Sequence, residues 1–262
     1  MCGIAGYSLS PRSRVPRTLA AQALLAGIAE RGADAVGYAH RASGASVVVH
    51  KQRSGASALL DQISIPPDAA QVLLHVRDYT KGHPELAANN HPIRHGSVVG
   101  VHNGTIANDD DLFAEHGVER AEPGMSVDSE IIFALAERTR GRTGPALELL
   151  YGSMATAWLD KGRPELLLAR GMGRPLWIGR GGDELFFAST RAALQLVGRY
   201  TGVRLRCSAL AVGTLLAVDD GRIVARECFR PDMSYEEEPL PAVRAPEESA
   251  FCLSRLSALA AA

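Results

Sequence analysis

The order of the short apolar segments is the feature that most restricts how this chain can fold. In the second half, strand candidates follow one another with turns between them, and a single helical segment, residues 190–197, interrupts the series. These strand candidates are residues 155–159, 165–169, 176–178, 184–188, 214–218 and 222–225. Asp219-Asp220-Gly221 joins the last two, and an Asp-Gly step between apolar runs is a strong hairpin signal. A parallel doubly wound sheet would instead require regular alternation of strands and helices, so the sequence predicts an α+β fold with helices covering antiparallel sheets.

The first half contains two helical segments among its strand candidates. Residues 18–30 carry apolar side chains at near-helical spacing until Arg31-Gly32 ends the pattern. Residues 126–130 supply capping and acidic side chains that begin a second helix. The strand candidates are residues 3–9, 36–40, 46–51, 72–76 and 97–102. The last of them runs into Asn103-Gly104, and an Asn-Gly pair by itself is most often a hairpin turn.

The chain is predicted to form one domain over residues 2–230, because it contains no internal repeat and no second segment of domain size. After Pro231 the composition changes, and residues 235–246 are acidic and proline-bearing, as is typical of an exposed linker. Residues 247–262 are rich in alanine and leucine and predict a helix. Two interpretations of this tail stay open: it docks onto a partner protein, or it packs on its own domain or frays.

Composition and charge exclude several classes of protein. The formal net charge of −1 argues against capture by nucleic acid or an acidic membrane surface. No apolar run is long enough to span a bilayer, and we expect no signal peptide. The cysteines are scattered without a C-x-x-C pair, which favours reduced thiols and a cytoplasmic location. The eight histidines match no zinc pattern, so we expect neither a metal site nor a cofactor.

Cys2 stands apart because it follows the initiator methionine. A small second residue permits removal of Met1, which would leave a free thiol and a free α-amine on one residue. The α-amine titrates near ~7.7–8.0 and the thiol near ~8.5, so the amine can accept the thiol proton close to neutral pH. Such a thiolate can attack an amide carbonyl, provided that donors stabilise the oxyanion.

Four other residues supply suitable chemistry, although each has an ordinary structural explanation. Asn103 and Gly104 offer a side-chain amide and a backbone N–H as oxyanion donors, or a turn. Arg77 offers a planar fork for a carboxylate, or a surface ion pair. Asp128 can accept hydrogen bonds from an ammonium group, or cap a helix. Together these groups suit a small amino acid with a γ-amide.

Six segments in order give the chain a close resemblance to class II glutamine amidotransferases, a group of N-terminal-nucleophile hydrolases. They read C-G-I-A-G at residues 2–6, R-G-A-D-A-V-G at 31–37, H-V-R-D-Y-T-K-G at 75–82, N-H-P-I at 90–93, H-N-G-T-I at 102–106 and S-V-D-S-E at 126–130. The similarity extends over residues 2–225. It implies a four-layer αββα sandwich of two antiparallel sheets between helical layers.

The resemblance also implies a role for each matching residue. Cys2 is the expected nucleophile with its own amine as base, and Asn103 with Gly104 the expected oxyanion hole. The expected ligands of the substrate α-carboxylate and α-ammonium groups are Arg77 and Asp128. The other residues assigned to substrate binding are Thr80, Gly82 and His102, with the loop 77–82 closing over the substrate.

Two charges in this loop depart from the family pattern. Asp78 follows the arginine where several amidotransferases carry an aromatic residue, and Lys81 precedes the loop glycine. We interpret both as solvated loop charges. The alternative is that they alter loop closure or the choice of group attached to the γ-carbonyl.

Three functions fit the sequence. The first is a glutaminase subunit that releases ammonia from L-glutamine and delivers it to a separate synthase protein, since the chain ends too early to carry one. The second is a hydrolase of a larger γ-glutamyl amide, of the type found in ergothioneine biosynthesis, which needs no ammonia partner. The third is a catalytically idle regulatory module, against which the intact set Cys2, Asn103, Gly104 and Asp128 argues.

Overall fold

Two antiparallel sheets form the centre of the structure, a computed structural model that describes residues 2–42, 46–139, 142–237 and 241–260. The strands are β1 (Gly3–Leu9), β2 (Ala35–Ala42), β3 (Val48–Gln52), β4 (Ala69–Arg77), β5 (Ile93–His95), β6 (Val98–Ile106), β7 (Gly152–Asp160), β8 (Leu166–Arg170), β9 (Trp177–Gly181), β10 (Glu184–Ala188), β11 (Arg206–Ala209), β12 (Thr214–Asp219) and β13 (Arg222–Cys228). The seven-stranded sheet has the order β11-β9-β10-β1-β4-β2-β3, and the six-stranded sheet has the order β13-β12-β8-β7-β6-β5.

Helices cover the outer face of each sheet. They are α1 (Arg17–Ile28), α2 (Ala56–Leu60), α3 (Asp109–Glu115), α4 (Glu130–Arg138), α5 (Thr143–Leu147), α6 (Arg191–Thr201) and α7 (Pro246–Leu259), with short 3-10 turns at Ala29–Arg31 and Ala87–Asn89. One apolar cluster lies between the larger sheet and α1, α6 and α7, a second between the smaller sheet and α4, and a third between the two sheets. The predicted four-layer αββα sandwich is therefore confirmed.

The two predicted turns had different outcomes. Asp220 and Gly221 have φ values of 46° and 75°, so the hairpin between β12 and β13 is where the sequence predicts it. The turn expected at Asn103-Gly104 is wrong, because β6 continues to Ile106 and pairs with β7 along that length. Gly104 is required inside the strand, since its φ is 149° and a Cβ there would lie 1.9 Å from the Ser153 carbonyl oxygen.

Several short elements carry too few residues for a periodic signal and were not predicted. They are β5, β11, α2, α3 and α5, each of three to seven residues. The longer elements agree with their predicted bounds to within a few residues. The last two residues of the predicted C-terminal helix, 261–262, lie outside the described part of the chain, as do residues 238–240 of the predicted linker.

The N-terminal strand lies in the middle of its sheet. β1 pairs with β4 on one side, Gly3 opposite Val76, and with β10 on the other, Ala5 opposite Ala188. All seven residues of β1 are buried. Side chains alternate between the two faces of a strand, so Cys2 shares with Ile4 the face that points between the sheets. The strand therefore delivers Cys2 to the end of the intersheet layer.

The C-terminal helix packs on the domain itself. Cys252 and Leu256 of α7 are fully buried against the cluster that contains α1. Glu248 accepts hydrogen bonds from the Ser57 backbone N–H and hydroxyl, at 2.7 and 3.0 Å, and so holds the start of α2. Among the helices of the described segments, none combines the length and the apolar character needed to cross a bilayer.

Helices α1 and α6 approach closely at Gly27, where a Cβ would lie 2.4 Å from Ala193 Cα. We expect Gly27→Ala to destabilise the protein by about 1–3 kcal/mol, because the two helix backbones must separate. Gly144→Ala in α5 is the matched control, since its Cβ would meet two side-chain atoms and no backbone, Glu227 Oε2 at 3.3 Å and Phe229 Cβ at 3.9 Å. Urea unfolding of both variants tests this; equal stabilities would contradict the tight helix contact.

Candidate active site

A narrow pocket surrounds the thiol of Cys2 and contains most of the predicted site residues. Its walls are Cys2, Arg77, Asp78, Tyr79, Thr80, Lys81, His91, His102, Gly104, Val127, Asp128 and Ser129. The remaining predicted residues, Asn103 and Gly82, lie directly beside members of this set. The free volume is only about 10 Å³, roughly the space of one water molecule. The loop 78–82 therefore covers Cys2 in this conformation.

Hydrogen bonds hold Cys2 on two sides. Its carbonyl oxygen accepts a hydrogen bond from Arg31 Nε at 2.8 Å. Its sulfur lies 3.3 Å from the Asp78 carbonyl oxygen and 3.5 Å from the Asp78 backbone nitrogen. Burial raises the pKa of the thiol, although the Asp78 hydrogen bond and the positive charge of Arg77 act in the opposite direction. The resting sulfur is therefore a thiol, and a base must remove its proton before attack.

Asn103 is a buried amide without the partners that such groups normally have. Its side chain is 1% exposed, and neither amide atom has a hydrogen-bond partner among the described residues. Leaving a buried polar group unpaired costs about 1–3 kcal/mol. Strand alternation in β6 places Asn103 on the intersheet face, with Val101 and on the side of Cys2. An unpaired donor here suits a negative charge that forms only during reaction.

Asp128 is a buried carboxylate that does not cap its helix. The N-cap of α4 is Ser129, whereas Asp128 Oδ2 accepts a hydrogen bond from the Ile106 backbone N–H at 2.7 Å. Burial raises the pKa of Asp128 to about 6, despite that hydrogen bond. Near neutral pH the group is an ionised carboxylate in a site that favours a cation beside it.

Arg77 is not a surface residue, since only 2% of it is exposed at the end of β4. Its guanidinium donates to Asn90 Oδ1, to the Lys81 carbonyl oxygen at 2.9 Å and to the Gly82 carbonyl oxygen. A guanidinium has five N–H donors, so these three bonds do not use all of them. Arg77 thus shapes the loop and keeps donors for a substrate carboxylate. Gly82 has φ 78°, a conformation that favours glycine.

His102 has both ring nitrogens engaged by the protein. Nε2 lies 3.2 Å from the Ser153 carbonyl oxygen, so Nε2 carries the proton, and Nδ1 accepts from the Ser129 hydroxyl at 2.8 Å. Burial lowers the pKa of His102 to about 3, which keeps the ring neutral. The geometry lets His102 fix Ser129 next to Asp128. Its predicted contact with substrate stays a prediction.

Two other histidines, His75 and His91, are buried near this pocket. His75 and His91 stack with ring centroids 4.1 Å apart, and burial lowers the pKa of both. His75 Nε2 donates to the His102 carbonyl oxygen at 3.0 Å. Within the described ranges, no three His, Cys, Asp or Glu side chains are grouped so that they would hold a metal ion.

A larger cavity, of about 310 Å³, lies elsewhere and contains none of the predicted site residues. Its buried Arg41 donates to the Gln71 side chain at 2.9 Å and to the Asp160 carbonyl oxygen at 2.7 Å. The second bond ties β2 of the larger sheet to the last residue of β7 in the smaller sheet. Arg41 therefore has a structural role at this cavity, where it joins the two sheets.

Known proteins are similar to this chain in sequence and in fold. Residues 80–196 match the family described as a glutamine amidotransferase domain. The isomerizing glutamine–fructose-6-phosphate aminotransferase of Chlamydia muridarum is 30% identical over 232 residues, or 86% of this chain and 36% of the relative. The protein of the same name from Bradyrhizobium diazoefficiens is 30% identical over 252 residues, or 89% of this chain and 39% of the relative. The chain thus spans little more than a third of the length of these relatives.

A solved structure supports the fold independently. Glutamine phosphoribosylpyrophosphate amidotransferase from B. subtilis, complexed with ADP and GMP, superposes with a TM-score of 0.69 at 20% identity. The match covers 88% of this chain and 50% of that chain. The chain contains a glutamine amidotransferase domain. This assignment confirms the resemblance drawn from the six sequence segments.

The two unusual loop charges of this amidotransferase domain are ion-paired, so their interpretation as solvated charges is wrong. Lys81 Nζ lies 2.7 Å from Asp109 Oδ1 and 2.8 Å from Asp110 Oδ2. Asp78 pairs with Arg244 of the C-terminal segment at 3.3 Å. The acidic start of α3 is visible in the sequence as three consecutive aspartates, but nothing local indicates that Arg244 returns to the site.

The raised pKa of Asp128 has a cost for folding that can be measured. The unfolded pKa is near 3.8 and the folded pKa about 6, so between these values the folded state binds more protons and stability falls as pH rises. We expect Asp128→Asn to stabilise the amidotransferase domain by about 2 kcal/mol above pH 6, because the amide still accepts from Ile106 and carries no buried charge.

Urea unfolding at pH 4 and pH 8 checks this expectation. The gain should be small at pH 4 and complete at pH 8. Asp110→Asn is a control of opposite sign, since hydrogen bonding to Lys81 lowers the pKa of that exposed carboxyl. If Asp128→Asn raises the free energy of unfolding by the same amount at both pH values, the raised pKa of Asp128 would be contradicted.

Proposed function

We propose that this amidotransferase domain hydrolyses L-glutamine to glutamate and ammonia through a γ-glutamyl thioester on Cys2. One observation carries the proposal: a single covered pocket combines the thiol of Cys2 with the buried charges of Arg77 and Asp128. These opposite charges complement the α-carboxylate and α-ammonium groups of an amino acid. Beside them, Asn103 supplies an unpaired donor for the reacting carbonyl.

The first half of the reaction forms the thioester. Removal of Met1, which lies outside the described residues, frees the α-amine of Cys2. The amine takes the thiol proton, and the thiolate attacks the γ-carbonyl carbon. The carbonyl oxygen becomes an oxyanion that accepts from Asn103 Nδ2 and the Gly104 N–H. When the intermediate collapses, the C–N bond breaks and the ammonium of Cys2 returns the proton to the leaving nitrogen, which departs as ammonia.

The second half regenerates the enzyme. Water gives a proton to the same amine and its oxygen attacks the thioester carbon, with the oxyanion again held by Asn103 and Gly104. The C–S bond then breaks, the sulfur regains its proton and glutamate leaves. Thr80, Gly82 and His102 complete the binding site through the covering loop and the wall beside Asp128. No metal or cofactor is needed for these steps.

The relatives support glutamine over a larger γ-glutamyl amide, because they are named as glutamine–fructose-6-phosphate aminotransferases. With the loop in this position the free volume near Cys2 is about 10 Å³, so the loop must move before either substrate enters. The alternative, a hydrolase of larger γ-glutamyl amides, requires a wider opening opposite Arg77 and Asp128. The third interpretation, an idle module, leaves the unpaired amide of Asn103 without a purpose.

We further propose that the ammonia passes to a separate synthase protein. The relatives are named as glutamine–fructose-6-phosphate aminotransferases, a name that pairs glutamine with a separate nitrogen acceptor. A cytoplasmic setting is supported by the four cysteines, which are free thiols.

Assays on protein with a verified N-terminal cysteine test the proposal. Wild-type protein should release ammonia and glutamate from L-glutamine, Cys2→Ser should lose at least about 10³-fold of kcat, and Asn103→Ala about 10²- to 10³-fold. Cys228→Ser is the matched control, because this exposed thiol on β13 is remote from the catalytic set and should leave turnover unchanged.

The substrate panel decides between the candidate functions. Preference for larger γ-glutamyl amides with glutamine inert would replace glutamine hydrolysis by the second function. Absence of turnover on every amide, with Met1 removed and the protein folded, would contradict hydrolysis by this domain alone.

A further inference from the structure

The C-terminal segment returns to the loop that covers Cys2. Arg244 Nε lies 3.3 Å from the Asp78 carboxylate. The Arg244 and Ala245 backbone N–H groups both donate to the Glu30 carbonyl oxygen, at 2.8 and 2.9 Å. Two backbone bonds thus fix the position of residue 244, and its side chain reaches the loop from that anchor.

Asp78 connects this side chain to the nucleophile. Its carboxylate meets Arg244, while its own backbone carbonyl oxygen and nitrogen lie 3.3 and 3.5 Å from Cys2 Sγ. A displacement of Asp78 therefore moves the groups that touch the sulfur. Glu30, which anchors the backbone of Arg244, is adjacent in sequence to Arg31. Arg31 Nε donates a hydrogen bond to the Cys2 carbonyl oxygen at 2.8 Å.

The other end of the loop is held more firmly. Lys81 bonds to Asp109, whose side chain is 2% exposed, and Arg120 bonds to the same carboxylate at 2.9 Å. Burial lowers the pKa of Lys81, but its hydrogen bonds to Asp109 and Asp110 outweigh that effect and the pKa is raised. At the Asp78 end, Arg244 is 45% exposed, so solvent screens that pair more strongly.

We propose that Arg244 is a positioning residue that acts through Asp78 to hold the loop closed over Cys2 for glutamine hydrolysis. The inference rests on the proposed function for its effect on turnover, but not for its effect on the thiol. An ion pair of this exposure is worth about 0.2–1 kcal/mol, so its loss changes the ratio of open to closed loop by up to about fivefold. Arg244 thereby links the C-terminal segment to the loop beside the nucleophile.

Two measurements on the full chain test the proposal. Arg244→Gln should raise the rate at which iodoacetamide alkylates Cys2 by about twofold, with the exposed Cys228 in the same molecule as internal reference. It should lower kcat at saturating glutamine by a similar factor. Arg244→Lys should restore most of the slow alkylation of Cys2 and most of kcat. At about 0.5 M salt, the alkylation rate and kcat of the wild-type protein should approach those of Arg244→Gln.

A matched control separates positioning from general loosening of the tail. Arg255 of α7 pairs with Asp61 at 3.1 Å and is also half exposed, but its partners lie on and beside α2. Arg255→Gln should leave the alkylation rate of Cys2 and kcat unchanged. Asp78→Asn should match Arg244→Gln, and the double variant should add nothing further.

The outcomes distinguish this proposal from glutamine hydrolysis itself. Unchanged alkylation of Cys2 in Arg244→Gln would overturn the positioning role, whatever the activity. Faster alkylation with unchanged turnover would also overturn it, because Arg244 would then only cover the thiol. A wild-type protein inert towards glutamine would refute the proposed function, while the alkylation rates still decide whether Arg244 holds the loop.

Discussion

The backbone pairing of β1 on both sides determines where everything else in the site must lie. A strand with partners on both edges has no freedom to fray, so the residue before it, Cys2, is held at a fixed point between the sheets. Arg31 adds a bond to the Cys2 carbonyl oxygen. A residue at a chain end is normally among the least ordered, and this arrangement holds the proposed nucleophile in a fixed position.

Burial then sets the electrostatics around that point. It raises the pKa of the Cys2 thiol and of the Asp128 carboxyl, and lowers that of the Arg77 guanidinium, so each group is held in surroundings that disfavour its charge. Under the proposed function, a bound amino acid would supply charges opposite to those of Arg77 and Asp128. Substrate binding would then recover the stability given up by burying these groups, which favours a ligand with both charges.

Sequence reasoning succeeded where chemistry and periodicity are local. Apolar spacing and turn residues predict the long strands, the helices α1 and α4, and the antiparallel pairing within the sheets. The set around Cys2 came from a resemblance over six segments, and the structure brings those segments together. Short elements such as β5 and α2 were missed because three to five residues contain no readable period.

Long-range contacts were outside the reach of the sequence. No local pattern relates Arg244 to Asp78, which is 166 residues away, or Lys81 to Asp109, and an isolated charge in a loop is most often solvated. The Asn103-Gly104 pair illustrates the opposite error, because local propensity favours a turn that the pairing of β6 with β7 overrides.

The positions where local rules fail are also the positions that matter for chemistry. Gly104 occupies a strand at a φ that favours glycine, and Asn103 keeps a buried amide unpaired beside it. A sequence selected for stability alone would place an apolar residue at 103, where the amide is buried and unpaired. An amide at this position, on the strand that faces Cys2, is therefore best explained by a charge that exists only while the substrate reacts, which is the state that an oxyanion hole serves.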